Sequence, residues 1–222
     1  MPTKATIKIT PPTAYSIGHG NRDSETFLAL LQDHGIKFLA DVRSYPSSKR
    51  NPYFNRETLE HTVGKAGISY TWFPELGGFR RTGLGNKSPH IALKSTGFRN
   101  YADYMATEPF RDAMPWLSHL ANLGPTCIMC AETLPQKCHR TLLADYLLMQ
   151  GIETIHILDG NRNTVHQLSS LATVSKNRII YNRTQINSLT VLTEFSESSK
   201  TKKSSENDLT GSGTLRGIME ST

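Results

Sequence analysis

The stretch from Thr126 to Leu158 restricts the fold most. Thr126-Cys127-Ile128-Met129-Cys130 is a short apolar run entered through Gly124-Pro125, the pattern of a buried strand. Leu142, Leu143, Tyr146, Leu147 and Met149 then recur at helical spacing, and Gly151 follows as a stop. Thr154-Ile155-His156-Ile157-Leu158 reads as the next strand. Strand, loop, helix and strand in that order make a βαβ crossover, which needs a parallel sheet and a right-handed connection.

The remaining chain repeats the theme. Strands are expected at Ala14–Gly18, Lys37–Arg43 and Ile68–Phe73. Ser24 is a good N-cap for a helix carrying Phe27, Leu30, Leu31 and His34 at i, i+3, i+4, i+7. Asn55 can cap a second helix, with Leu59, Val63 and Ala66 as its apolar stripe. Two more helices are expected, one at Phe98–Met105 and one from Pro109 to just before Gly124, with Pro115 placed to kink the latter. Pro74 to Gly97 has no regular pattern, and an irregular loop of that length is often a lid or binding loop.

The expected fold is therefore α/β: a single Rossmann-like domain over 13–195, with a mainly parallel sheet of about five strands covered by helices on both faces. Past Leu158 the pattern weakens. Asn163–Leu171 reads as helical, and Arg178–Leu192 as either a hairpin or an extra helix. Residues 196–222 are rich in Ser, Thr, Lys, Glu and Gly, the composition of a disordered polar tail. Trp72, Trp116, His156 and Cys127 are expected in the core.

No run of ~18 apolar residues is present, and the first ten residues lack the apolar segment of an export signal. A cytoplasmic protein with free thiols and no membrane partner is the expectation. The count of three cysteines agrees with it, being odd for a disulfide framework. The formal net charge of +6 favours phosphate-bearing partners, either a small molecule or a nucleic acid.

In a parallel sheet the loops Gly18–Arg22, Arg43–Phe54, Pro74–Gly97 and Ala131–Arg140 all leave carboxyl ends of strands, where ligands bind in open α/β sheets. That edge would carry His19, Arg22, Arg43, Arg50, Arg80, Arg81 and Arg140, an anion-binding set, since guanidinium forks grip phosphate oxygens in pairs. Cys130, Glu132, Cys138 and His139 are the candidate catalytic residues. Cys138 starts a helix, where the unpaired backbone N–H groups favour thiolate over thiol. One reading makes a thiolate the nucleophile, with His139 or His19 as base and Glu132 as orienter. A second makes Cys130, Cys138 and a histidine metal ligands. A third makes both cysteines packing residues. No metal is assigned.

Cys127 and Cys130 have zinc-knuckle spacing, but on a strand residues three apart point to opposite faces. Asp41, inside a hydrophobic strand, needs a partner, and Arg43 is placed to be one. Gly18-His19-Gly20 is followed by Arg22-Asp23 where a dinucleotide turn needs a third glycine, so no dinucleotide cofactor is expected. A non-catalytic nucleic-acid-binding module also fits. Tyr45, Tyr53, Phe54 and Phe79 interleave with the basic residues, a pattern suited to single strands. The residues imply no cofactor and no particular oligomeric state.

Several segments together resemble one family. They are Ser16-Ile17-Gly18-His19-Gly20-Asn21-Arg22, Asp41-Val42-Arg43-Ser44-Tyr45-Pro46, Lys49-Arg50-Asn51-Pro52 with Phe54-Asn55, Leu76-Gly77-Gly78, Tyr101-Ala102-Asp103-Tyr104-Met105, and Met129-Cys130-Ala131-Glu132 with Cys138-His139-Arg140. Over about residues 14–160 the chain is similar to the uncharacterised family catalogued as domain of unknown function 488. The resemblance implies a bacterial or archaeal cytosolic α/β domain and supplies no activity.

Overall fold

The computed structural model describes residues 12–160 and 162–183. The expected polar tail at 196–222, the end of the expected domain at 195 and the end of the Arg178–Leu192 segment lie outside the described residues. Eight strands and five α-helices are present among those described: β1 (Thr13–Gly18), α1 (Ser24–Asp33), β2 (Phe38–Asp41), α2 (Arg56–Lys65), β3 (Ser69–Trp72), α3 (Thr96–Tyr104), α4 (Glu108–Leu123), β4 (Thr126–Cys130), α5 (Arg140–Met149), β5 (Glu153–Asp159), β6 (Arg162–Val165), β7 (Ala172–Ser175) and β8 (Arg178–Tyr181).

The main sheet has the order β3-β2-β4-β1-β5-β6. The five strands expected from sequence are all parallel to one another. The sixth, β6, is antiparallel to β5 at the edge. It occupies part of the Asn163–Leu171 segment read as a helix, and that reading is corrected. All four β6 residues are exposed, so no burial pattern marks the strand in the sequence, and its pairing with β5 decides its conformation. β7 and β8 form a separate hairpin. Its turn takes Lys176 and Asn177 through positive φ, the geometry of a tight two-residue connection.

Alternation along the strands splits the core into two layers. Ile17, Leu39, Cys127, Met129 and Ile157 face Phe27, Leu30 and Leu31 of α1 and Leu59 and Val63 of α2. Ala14, Ala40, Val42 and Ile128 face Tyr101, Phe110, Met114, Leu117, Leu142, Leu143 and Tyr181. Cys127 is sealed on the first face. Cys130 packs on the second. His156 is buried as expected, and α4 runs unbroken through Pro115. Trp116, expected in the core, is 64% exposed and stacks on His119. Its neighbours Ala113, Met114 and Leu117 take the inward side of α4 instead.

β1 and β4 are neighbours whose following crossovers leave in opposite directions. The path after β1 runs through α1 to β2, and the path after β4 runs through α5 to β5. Such a switch point opens a crevice beyond the carboxyl ends of the two strands. The irregular stretch before α3 lies near this edge and is fastened down. Ser88 Oγ and Leu84 N donate to the Asp103 carboxylate, Asn100 Nδ2 donates to the carbonyls of Arg80 and Arg81, and Tyr101 Oη donates to Leu76 O.

Candidate active site

The crevice holds a cleft of about 500 Å³ whose walls include Arg43, Cys130, Glu132, Lys137, Cys138 and His139. β4 delivers Cys130 at its last residue. A short 3-10 turn at Pro135–Lys137 then carries the chain to Cys138, with His139 at the N-cap of α5 and Arg140 as its first helical residue. The sulfurs of Cys130 and Cys138 and a ring nitrogen of His139 all lie within 4.8 Å of one another.

His139 is held from three sides. Its Nε2 is 3.0 Å from the carbonyl of Val42 at the end of β2. A carbonyl only accepts, so Nε2 carries the proton and donates it there. Nδ1 is then left with its lone pair facing Cys138 Sγ at 3.5 Å and Cys130 Sγ at 3.9 Å. Tyr101 packs edge-on against the ring at 5.0 Å. Over the ring passes Gly78, where a Cβ would come within 2.3 Å of Nδ1. A side chain at this position would have to dislodge a ring fixed by the Val42 bond. Gly18 is constrained in the same way, since its Cβ would meet the Glu132 carbonyl at 1.8 Å.

Arg140 is 1% exposed and lies beneath the cleft. Its Nε donates to Cys138 Sγ at 3.3 Å, Nη1 donates to Ser16 Oγ at 3.0 Å, and Nη2 donates to the Glu132 carbonyl. A hydrogen bond from the Cys130 thiol, together with the buried Arg140 guanidinium, holds Cys138 below the ordinary thiol range despite burial. The same bond and burial push Cys130 up. The two shifts run in opposite directions and favour negative charge on Cys138 over Cys130. Cys127, buried on the other face, is pushed up by desolvation.

The other expected site residues lie as follows. Arg43 lines the cleft, but its guanidinium is spent on Asp41 at 2.5 Å and on the Phe54 carbonyl at 2.8 Å, and Tyr70 Oη also donates to Asp41. Arg22 donates to the Gly18 and Leu158 carbonyls. Arg80 lies over the Tyr104 ring at 3.5 Å and donates to the Glu75 carbonyl. Arg81 is exposed beside Phe79, and Arg50 is exposed in its loop. His19 is outside the cleft lining and stacks on the buried Phe54 at 4.3 Å. Burial, then the charge of Arg43, lowers its pKa to about 4.

Glu132 lines the cleft without orienting His139. Its Oε1 accepts from Leu134 N at 3.1 Å, and the Val42 carbonyl does the orienting. Sequence reasoning missed Tyr101 and Lys137 and gave Gly78 no role. The Gly77-Gly78 doublet was the available signal, because paired glycines outside a turn mark a close approach.

No helix among the described residues is long and apolar enough to cross a membrane. The sequence model of the family described as "Domain of unknown function DUF488" matches residues 23–147, more than half of the 222-residue chain. Comparisons with curated proteins and with solved structures find no match. The matched span contains Cys130, Glu132, Cys138, His139 and Arg140, as well as Gly78 and Tyr101. The chain belongs to the DUF488 family.

Proposed function

We propose that the protein is an enzyme in which the Cys138 thiolate acts as nucleophile on a phosphate-bearing substrate held in the cleft. One observation carries this reading: Cys138 Sγ accepts from the buried Arg140 guanidinium at 3.3 Å while facing His139 Nδ1 at 3.5 Å, at the head of α5. The buried cation beside the sulfur favours thiolate, the reactive form. His139 Nδ1, unprotonated and aimed at both sulfurs, can take a thiol proton. The Glu132 carboxylate on the wall can take a proton from an attacking water.

The substrate class rests on the cleft's surroundings. Arg43 and Arg140 already have partners, so anion contacts fall to Lys137 in the cleft and to exposed Arg81 beside Phe79 on its wall. Tyr45 and Phe79 line the same cleft at 72% and 57% exposure, in edge-to-face contact at 6.3 Å. Exposed aromatic faces beside cations suit a stacked base. That favours a nucleotide or nucleic acid over a simple phosphate.

The test is alkylation of the reduced, chelator-treated protein with iodoacetamide, mapped by mass spectrometry, followed by turnover assays on nucleotides and oligonucleotides. Cys138 is expected to react first, and Cys138→Ser to abolish any turnover. Cys138 modified no faster than the sealed Cys127 would overturn the reading.

A further inference from the structure

The same three side chains form a ligand set. We infer that Cys130, Cys138 and His139 bind one Zn²⁺, with a fourth coordination position open to the cleft. This goes beyond the nucleophile reading, which describes the metal-free protein: with zinc bound, Cys138 is a ligand and attacks nothing.

The distances carry the inference. Zn–S bonds of about 2.3 Å and Zn–N bonds of about 2.0–2.1 Å at tetrahedral angles place a sulfur and a nitrogen ligand about 3.6 Å apart. The two S···N distances here are 3.5 and 3.9 Å, and all three donor atoms fit within 4.8 Å. Seating an ion needs the two sulfurs to close by at most about 1 Å, toward the roughly 3.8 Å of a tetrahedral pair. Donor type agrees as well, since thiolate and imidazole select borderline-soft zinc over magnesium or calcium.

The surroundings match what a metal-bound histidine requires. Its far nitrogen donates to the Val42 carbonyl, which fixes the tautomer and leaves Nδ1 free to ligate. Gly78 gives the ring its room. Arg140 Nε, at 3.3 Å from Cys138 Sγ, offsets the charge of a second thiolate once Cys130 loses its proton to the metal. Cys127 lies on the other face of β4 and cannot supply a fourth ligand. Three protein ligands with one position facing a 500 Å³ cleft is the arrangement of a catalytic zinc rather than a closed structural one. Glu132 lines the same cleft, where a carboxylate can take a proton from metal-bound water.

Co²⁺ titrated into the reduced, metal-free full chain tests this. One equivalent should produce a thiolate-to-cobalt charge-transfer band and the intense visible bands of a tetrahedral site, and Zn²⁺ should abolish both. Cys127→Ser should keep the bands, while Cys130→Ser, Cys138→Ser and His139→Ala should lose them. Gly78→Ala should weaken binding about 10- to 100-fold, because its methyl would push aside the ring that carries the ligating nitrogen. Should the ligand variants misfold, the wild-type chain still decides the matter. One equivalent of Zn²⁺ must then shield Cys130 and Cys138, but not Cys127 in the unfolded control, from alkylation. Absence of the charge-transfer band, or its loss in Cys127→Ser, overturns the site. Fast alkylation of Cys138 without a cobalt band would sink the metal and leave the nucleophile standing. A cobalt band on a protein whose Cys138 is inert to alkylation when metal-free would do the reverse.

Discussion

Two histidine-centred clusters lie along α5, and only one of them opens outward. At the head of the helix, His139 presents Nδ1 to two sulfurs on a cleft wall. Further along, Asp145 anchors a closed chain. His166 Nε2 donates to Asp145 Oδ1 at 2.9 Å, His156 Nε2 donates to His166 Nδ1 at 3.0 Å, and Tyr181 Oη donates to Asp145 Oδ2 at 2.8 Å. In both clusters one ring nitrogen donates and the other is left over. His156 Nδ1 has no hydrogen-bond partner among the described residues and is buried. Burial, then its neighbour His166, lowers the His156 pKa to about 4 and keeps the ring neutral. Buried polar groups alone therefore do not mark a site. A lone pair facing ionisable partners in an open cleft does.

The contrast can be broken most forcefully at Asp145. Asp145→Ala strands the donors of His166, Tyr181 and Ser169 in the core. The expected loss is on the order of 3–5 kcal/mol. At about 2–4 °C per kcal/mol for a chain of this size, calorimetry should show Tm falling by roughly 6–20 °C. Cys138 should stay fast to alkylate in the protein that remains folded. Gly78→Ala is the opposite probe. Overpacking against His139 should cost about 1–3 kcal/mol in a denaturant titration, while Cys138 reactivity drops sharply. A variant that kept full reactivity would mean that the ring's seat is irrelevant to the sulfur.

Smaller effects sharpen the comparison between the two faces of β4. Cys127→Ser buries a hydroxyl on the sealed face, at about 1–3 kcal/mol, and should leave the alkylation pattern of the other two cysteines unchanged. A further effect is expected in pH. His19 has its folded pKa depressed from 6.5 to about 4, so its contribution is complete above pH 6.5. That contribution is lost as pH falls toward 4, because the unfolded chain takes up the proton first. His156 adds to the slope with the same sign. Urea midpoints measured across that window should decline with acid, and His19→Gln should flatten part of the decline.

Much of this fold is legible in the residues. The Thr126–Leu158 crossover and the three earlier strands carry continuous or alternating apolar runs, and burial on one or both faces dictates those runs. β6 is not legible because Arg162, Asn163, Thr164 and Val165 are all exposed, so no alternation is needed. Trp116 misleads because an aromatic's size predicts burial only where a face is left for it. The grouping of Cys130, Cys138 and His139 follows from strand-end and helix-start logic. The fate of the arginines does not. Only the Arg43–Asp41 pair is legible, from the spacing of the two residues; nothing in composition tells that Arg43 also reaches Phe54, or that Arg140 is taken by Ser16 and two carbonyls, because these partners lie up to 124 residues apart. Guanidinium density at a sheet edge is thus a poor count of free anion contacts.

The most direct measurement is the relative alkylation rate of the three cysteines in the native, reduced, metal-free chain. The account predicts Cys138 fastest, Cys130 slower because it keeps its proton, and Cys127 protected until the protein unfolds. Equal protection of Cys138 and Cys127 in the folded protein would contradict it.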